Sequence, residues 1–227
     1  MTDTRYKKMQ QVLQSRQLDL TLLLERIHKP HNISAILRTC DATGVHGVNV
    51  ILPDEEEKYR VSKGISSGNG QWIESRIHKD TNSAITTLKE EGFQILAAHL
   101  SDKAIDFREA DYTKPTAILM GTEKYGVSDE AAEMCDKHVV IPMLGMGHSL
   151  NVSVAAAIIL YEAQRQREAA GLYGKQQIAK EEYQKLLFEW KQPKMTRYCK
   201  QHGLDYPQLD EDGDLIPSDG FTTPKAK

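Results

Sequence analysis

The sequence predicts an α/β domain built on a mainly parallel β-sheet. Short apolar runs of strand length alternate, along the middle of the chain, with longer segments that have a helical pattern. Several of the helical segments stop at a glycine, which commonly follows the last residue of a helix. Such alternation of strands and helices is typical of a parallel sheet with helices packed on its faces.

The predicted strands are apolar or rich in β-branched residues. Each is bounded by glycine, proline or charged residues, which interrupt strands. They are residues 20–27, 48–52, 73–78, 93–98, 116–120 and 138–141.

The predicted helices of the same region are residues 34–43, 81–91, 128–135 and 153–170. Gly44, Gly92 and Gly171 directly follow three of them. The last helix is apolar in its first half and charged in its second half. We expect its first half to pack on the sheet and Arg165 and Arg167 to project beyond it.

Charge is spread unevenly over a chain whose formal charge is −3. Residues 1–26 carry five basic against three acidic residues, and residues 163–200 carry nine against four. The segment from Asp205 reverses this balance and holds three prolines, so we expect loop or disorder beyond Asp210. Basic helices are often only solvated faces, but two of them around a neutral middle favour an anionic partner.

The predicted organisation therefore has three parts. Residues 1–19 form an N-terminal basic helical arm, residues 20–170 form the central domain, and residues 171–227 form a C-terminal helical extension with a partly disordered tail. The longest apolar run, residues 154–161, is well short of the roughly 20 residues of a membrane helix. The first five residues lack the apolar block of a signal peptide.

Three cysteines, Cys40, Cys135 and Cys199, lie far apart and form no Cys-x-x-Cys pair. This argues against a disulfide scaffold or a zinc ribbon and favours a cytoplasmic protein. The eight histidines are scattered, and we expect no metal site.

Ligand-binding residues should follow the predicted strands, because parallel α/β sheets bind ligands at the carboxyl ends of their strands. No Gly-x-x-x-x-Gly-Lys-Ser/Thr motif occurs, and the segment around Gly145 and Gly147 departs from the dinucleotide-binding fingerprint. An ATPase and a conventional dinucleotide-dependent enzyme are therefore disfavoured. Three other segments stand out, namely residues 28–39, 118–128 and 141–153.

The first segment contains Asn32 and Arg38. Asn32 has two interpretations, a functional residue or the N-cap of the following helix. Arg38 falls in the apolar register of that helix, where an arginine usually extends its charge to solvent or forms an ion pair. The six-residue spacing does not place the two side chains on one helical face.

The other two segments are rich in glycine. Gly121 and Gly126 permit either a tight turn or a close approach of the backbone to a ligand. Ser149 or Asn151 could cap the helix that follows residues 141–150. The main-chain groups of that connection suit an uncharged heterocycle such as adenine, or could bond to one another.

Taken together, the three segments resemble the motifs of the SpoU/TrmH group of SPOUT RNA methyltransferases. The resemblance covers about residues 20–168, and the motifs match in order and spacing. Their cores here are Asn32…Arg38, Met120-Gly121-x-Glu123…Gly126, and Ile141-Pro142-Met143…Ser149-Leu150-Asn151-Val152-Ser153-Val154-Ala155. Additional segments narrow the likeness to members that methylate guanosine 18 of tRNA, namely Thr4-Arg5-Tyr6, residues 28–32, residues 99–102, residues 106–109 and residues 161–167.

The resemblance implies a SPOUT trefoil-knotted parallel sheet, S-adenosyl-L-methionine bound in the knot, and a homodimer that shares its active sites. It assigns the cofactor to main-chain groups of Ala98, Gly121, Ile141 and Leu150. Family members often carry a hydroxyl residue where Ala98 stands, so a contact there has to be made by the main chain. The catalytic residues that it implies are Arg38, Asn32, Glu123, Ser149 and Asn151.

The implied activity is 2′-O-methylation of guanosine 18 in the D-loop of tRNA, with no DNA or membrane partner. Positioning supplies most of the catalysis in such a transfer. We expect Arg38 to bind phosphate and to stabilise the developing alkoxide, because a guanidinium keeps its proton. The alternatives are a 23S ribosomal RNA 2′-O-methyltransferase and a non-catalytic RNA-binding module. The candidate RNA-binding residues are Arg5, Tyr6, Lys7, Lys8, His31, Arg165 and Arg167.

Overall fold

The computed structural model describes residues 3–52, 68–122 and 124–216 of the 227-residue chain. The chain divides into two compact units. One, here called the sheet unit, spans residues 16–174, and the other, the terminal unit, combines residues 1–15 with residues 175–227. The sequence-based organisation instead separates the two ends of the chain and places its boundaries after residues 19 and 170.

The sheet unit contains seven strands among its described residues. They are β1 (Leu20–Glu25), β2 (Gly47–Ile51), β3 (Glu74–His78), β4 (Gln94–Ala98), β5 (Ile105–Asp106), β6 (Thr116–Met120) and β7 (Lys137–Val140). Their order in the sheet is β3-β2-β1-β6-β4-β7-β5, and every neighbouring pair is parallel. The predicted fold class, a parallel α/β sheet with flanking helices, is confirmed.

Seven α-helices occur in the described part of the chain. They are α1 (Asp3–Gln14), α2 (Pro30–Ala42), α3 (Thr81–Glu90), α4 (Asp129–Met134), α5 (Val152–Ala169), α6 (Lys180–Lys191) and α7 (Pro193–His202). The four helices α2 to α5 belong to the sheet unit, and α1, α6 and α7 belong to the terminal unit.

Helices cover both faces of the sheet. Apolar side chains of α2 and α5 pack with those of β1 and β6 in one core cluster, and α3 and α4 contribute to a second cluster with other residues of the same strands. All six residues of β1 and all five of β6 are buried. Strands buried on both faces read as continuous apolar runs, which explains why these two strands are recognisable in the sequence.

The six predicted strands all correspond to observed strands. The additional strand, β5, has two residues, which is too short to give a periodic signal. Gly44, Gly92 and Gly171 all have positive φ angles next to helix ends, as the predicted helix stops require.

Helix α2 starts at Pro30, four residues before the predicted start. Its N-cap is Lys29, and proline occupies the first helical turn, where its missing N–H group costs nothing. Asn32 therefore lies inside the first turn, and the interpretation of Asn32 as an N-cap is wrong.

In the terminal unit, α1 packs against α6 and α6 packs against α7. Phe188, Met195 and Cys199 form its buried cluster, against which residues of the segment after α7 pack. The loop predicted beyond Asp210 is a turn up to residue 216: Gly213 N–H donates to the Asp210 carbonyl, and Leu209 bridges to Leu215. The remaining predicted tail, residues 217–227, lies outside the described residues.

In the described part of the chain, no helix combines the length and the apolar character needed to cross a membrane.

Candidate active site

A cavity of about 550 Å³ opens at the carboxyl ends of three adjacent strands of the sheet. The last residues of β4, β6 and β7, namely Ala98, Met120 and Val140, contribute to its lining. This is the edge at which parallel α/β sheets bind ligands. The volume lies within the usual range for small-molecule and cofactor sites.

The four residues assigned to the cofactor all line this cavity. They are Ala98 after β4, Gly121 after β6, and Ile141 and Leu150 at the two ends of the connection from β7 to α5. The structure therefore brings together residues that are up to 52 positions apart in the sequence.

The connection between β7 and α5 offers its main chain to the cavity. Among the described residues, no protein group forms a hydrogen bond with the main-chain N–H or C=O groups of residues 143–150. The alternative that these groups bond to one another is therefore wrong. Buried main-chain groups require partners, so the free groups of this loop favour a ligand with several polar atoms.

The loop after β6 is a tight turn. Thr122 and Gly126 exchange two main-chain hydrogen bonds of 2.9 Å, and Gly126 has a φ of 71°. A Cβ atom on Gly121 would lie 2.0 Å from the carbonyl carbon of Gly126, so only glycine fits there. The turn explanation holds for both glycines, and the close approach at Gly121 is to the protein backbone.

Glu25 holds this turn from below. It is 5% exposed at the end of β1, and its carboxylate accepts hydrogen bonds from the Ser128 N–H (3.0 Å), the Ser128 hydroxyl (2.7 Å) and the Thr81 hydroxyl (3.0 Å). The carboxylate thereby links β1 to the starts of α3 and α4. Sequence reasoning missed Glu25, because a lone acidic residue in an apolar strand carries no motif.

Asn32 and Asn151 join the first motif to the third. Asn32 is 1% exposed, and its Oδ1 accepts a hydrogen bond of 3.2 Å from Asn151 Nδ2. The Oδ1 of Asn151 accepts from the Ser153 N–H (2.9 Å) and so caps α5. Asn151 therefore caps a helix and contacts Asn32 with the same side chain.

Arg38 lies on the outer face of α2, away from Asn32, as the six-residue spacing predicts. Its assignment to the apolar register is wrong, because the side chain is exposed. Within the described residues it has no ion-pair or hydrogen-bond partner. Ser149 is exposed and lines the cavity. Glu123 lies outside the described residues.

A model of the SpoU rRNA Methylase family matches residues 19–161, which contain the whole cavity. The chain belongs to the SpoU rRNA methylase family. A second model, of the C-terminal part of SpoU rRNA methylases, matches residues 165–218. The resemblance stated from the motifs is thereby confirmed.

Individual members of the SpoU family resemble the chain over most of its length. It is 47% identical to the tRNA (guanosine(18)-2′-O)-methyltransferase of Escherichia coli K12 over 95% of this chain and 94% of that protein. The solved A. aeolicus TrmH/SpoU tRNA modifying enzyme has a TM-score of 0.75 and 45% identity, covering 83% of this chain and 95% of that one. AviRb of Streptomyces viridochromogenes, solved with the cofactor AdoMet, has a TM-score of 0.56 and 29% identity, covering 67% and 60%.

The candidate RNA-binding residues of this SpoU-family chain fall into two groups. Most are exposed: Arg5, Lys7 and Lys8 on α1, His31 on α2, and Arg165 on α5. The side chain of Arg165 is 67% exposed and pairs with Glu162 at 2.7 Å. Exposed pairs of this kind contribute little stability, so a phosphate can replace the carboxylate.

Arg167 and Tyr6 are buried. The guanidinium of Arg167 donates to Gln17 Oε1 (2.9 Å) and the Tyr112 carbonyl (3.0 Å), and it pairs with Asp19. The expectation that Arg167 projects beyond the sheet is therefore wrong. The ring of Tyr6 is 4% exposed and packs under the ammonium of Lys191, 4.9 Å from the ring centre. Neither side chain can reach RNA in this conformation.

Proposed function

We propose that this chain is an S-adenosyl-L-methionine-dependent tRNA ribose methyltransferase that methylates the 2′-oxygen of guanosine 18 in the D-loop. The observation that carries the proposal is the junction of the first and third motifs through Asn32 and Asn151, beside a cavity lined by unbonded main-chain groups. The E. coli relative, named for this reaction, supports the choice of substrate.

The cavity fits the proposed cofactor. Its volume of about 550 Å³ suits a nucleoside with an amino-acid side arm, and residues 143–150 provide free main-chain donors and acceptors for an adenine and a ribose. The residues that would hold it are Ala98, Gly121, Ile141 and Leu150. When bound, S-adenosyl-L-methionine supplies an electrophilic methyl group on a positively charged sulfur.

Arg38 acts on the ribose that receives the methyl group. Its guanidinium stays protonated at physiological pH and therefore cannot be the base. It binds an RNA phosphate and stabilises the negative charge that develops on the ribose 2′-oxygen as the hydroxyl proton leaves. A single-turnover rate that is flat between about pH 7 and 9 agrees with this role, whereas a tenfold rise per pH unit would indicate a titrating base and contradict it.

Asn32 and Asn151 position Arg38. Asn32 lies on the same helix as Arg38, and Asn151 directly follows the loop of residues 143–150. Their hydrogen bond of 3.2 Å fixes that helix relative to the cofactor loop. Ser149 lines the cavity at the end of this loop, and Glu123 completes the proposed catalytic set. Because positioning supplies most of the rate, loss of this bond lowers the rate without removing any reacting group.

The tRNA partner is bound through exposed basic residues. Arg5, Lys7 and Lys8 of α1, together with His31 and Arg165, form the proposed set. Contacts to the sugar-phosphate backbone are sensitive to salt and largely independent of sequence. Recognition of guanosine 18 itself therefore requires further contacts around the cavity.

The working form that we propose is a cytoplasmic homodimer in which the knotted chain path holds the cofactor. Exposed apolar side chains support a second copy: on α5, Val154 is 45% and Tyr161 55% exposed, and Leu144 and Met146 beside the cavity are almost fully exposed. Apolar groups of this size usually mark an interaction surface. Sedimentation at micromolar concentration measures the assembly, and a monomer would contradict it.

Transfer of a radiolabelled methyl group into unmodified RNA tests the function. We expect incorporation into a tRNA transcript and none when guanosine 18 is replaced by adenosine. Label only in ribosomal RNA would instead identify a 23S ribosomal RNA 2′-O-methyltransferase, as the printed description of the family model suggests. Bound RNA without incorporation would identify a non-catalytic RNA-binding module.

A further inference from the structure

Three polar side chains at one wall of the cavity form a connected network. His99 directly follows β4 and lines the cavity. Its ring lies nearly perpendicular to that of His138 on β7, with ring centres 5.1 Å apart and an angle of 82°. The hydroxyl oxygen of Ser101 lies 2.7 Å from His138 Nδ1. None of these residues has a role in the function proposed above.

The hydrogen bonds of His138 fix its protonation. Its Nε2 lies 2.9 Å from the carbonyl oxygen of Ala132 on α4. A carbonyl oxygen only accepts, so Nε2 carries the hydrogen. The Ser101 hydroxyl can then donate to Nδ1 when the His138 ring is neutral. The two bonds therefore hold a neutral ring in a single orientation against His99.

His99 is also neutral in this environment. Burial, together with the neighbouring His138, lowers the pKa of His99, and Asp129 on α4 opposes this shift. The other titratable groups that line the described cavity are Lys124, on the loop after β6, and His148, on the loop after β7. The main-chain N–H of His99 donates to the Val139 carbonyl at 3.2 Å, which anchors the residue to β7.

We propose that His99 is a donor-binding residue whose uncharged ring lets the cavity accept a cationic sulfonium ligand, and that Ser101 and His138 are its positioning residues. This inference rests on the proposed function. A protonated His99 would share the cavity with the positive sulfur of the methyl donor, and like charges at such distances repel. The demethylated product, S-adenosyl-L-homocysteine, is a neutral thioether at this position and does not meet the same repulsion.

Calorimetry with the full-length protein at pH 7.5 tests the contact. We expect His99→Ala to weaken binding of S-adenosyl-L-methionine about tenfold and Ser101→Ala about threefold, the range of one hydrogen bond. Ser101→Thr, which keeps the hydroxyl, should restore the affinity. Asp102→Asn is the matched control, since Asp102 is the exposed neighbour of Ser101. Unchanged affinity in both His99→Ala and Ser101→Ala would overturn the proposal.

The pH dependence separates a donor contact from a purely structural role. Because only molecules with neutral His99 bind the donor, its dissociation constant should rise at least ~3-fold between pH 7.5 and pH 5.0. The constant for S-adenosyl-L-homocysteine should change less than about twofold over the same range, since the like-charge repulsion is missing. His99→Gln should abolish the difference between the two ligands, whereas His148→Gln should leave it.

Opposite behaviour of the two variants would assign the effect to His148 and overturn the proposal for His99. Failure of the unmodified protein to bind S-adenosyl-L-methionine at pH 7.5 would overturn the proposed function, and this inference with it. Normal binding combined with pH-independent donor affinity would overturn this inference alone.

Discussion

Removal of the Glu25 carboxylate should destabilise the loop that forms one side of the cavity. Glu25 is 5% exposed and accepts three hydrogen bonds, two from Ser128 and one from Thr81. Glu25→Ala leaves the main-chain N–H of Ser128 without its partner. The two hydroxyl groups can turn toward other acceptors, but this N–H cannot.

The magnitude follows from these contacts. A hydrogen bond to a charged group contributes roughly 1.5–3 kcal/mol, and a buried donor left without a partner costs about 1–3 kcal/mol. Allowing for the two hydroxyl groups that reorient, we expect Glu25→Ala to lower the free energy of unfolding by about 3 kcal/mol. Glu25→Gln keeps one carbonyl oxygen as an acceptor and should lower it by about half as much.

Urea-induced unfolding measures this free energy, and calorimetry with S-adenosyl-L-methionine measures the effect on the cavity. Glu91→Ala is the matched control, because Glu91 pairs with Arg76 at 2.7 Å on the surface and exposed pairs contribute at most ~1 kcal/mol. A loss below about 1 kcal/mol for Glu25→Ala, or a loss equal to that of Glu91→Ala, would refute the reasoning.

The other predictions concern single side chains. Arg38→Ala should lower the single-turnover methylation rate about a hundredfold. Donor affinity should stay within about twofold, and a larger change would contradict the assignment to the ribose. Arg26→Gly should stabilise the protein by about 0.5–1 kcal/mol in urea unfolding, because Arg26 has a φ of 52° that glycine adopts without strain. Arg165→Ala should raise the KM for tRNA and reduce the salt slope by about one, whereas Arg167→Ala should lower the unfolding free energy by about 3–5 kcal/mol. Burial raises the pKa of the Cys40 thiol to about 12, so its thiolate is scarce at pH 8 and Cys40 should resist alkylation in the native protein, as mass spectrometry of alkylated peptides would show.

The main elements of the sheet are predictable because their burial is written in the sequence. The strands β1 and β6 are buried on both faces and appear as apolar runs, and glycine marks the ends of α2, α3 and α5. The association of both ends of the chain in one unit is different. It depends on packing between helices far apart in sequence, for which periodicity gives no partner.

The candidate site shows the same division. Residues that follow strands are predictable, since the carboxyl ends of parallel strands meet at one edge, and Ala98, Gly121 and Ile141 line the cavity there. Glu25 and His138 lie within strands and act through hydrogen bonds to other elements. Their partners are distant in sequence, so neither residue can be assigned from a local pattern.

Arg165 and Arg167 show why a count of basic residues does not identify RNA contacts. Two residues along an α-helix correspond to a rotation of about 200°, so the two side chains leave α5 on nearly opposite sides. Arg165 points to solvent and pairs with Glu162, while Arg167 points inward to Gln17 and Asp19. Of two equal charges in one basic segment, one is available to a phosphate and the other links α5 to the residues just before β1. The electrostatic contribution to RNA binding therefore depends on the outward face of each basic helix, and the net charge of −3 carries no information about it.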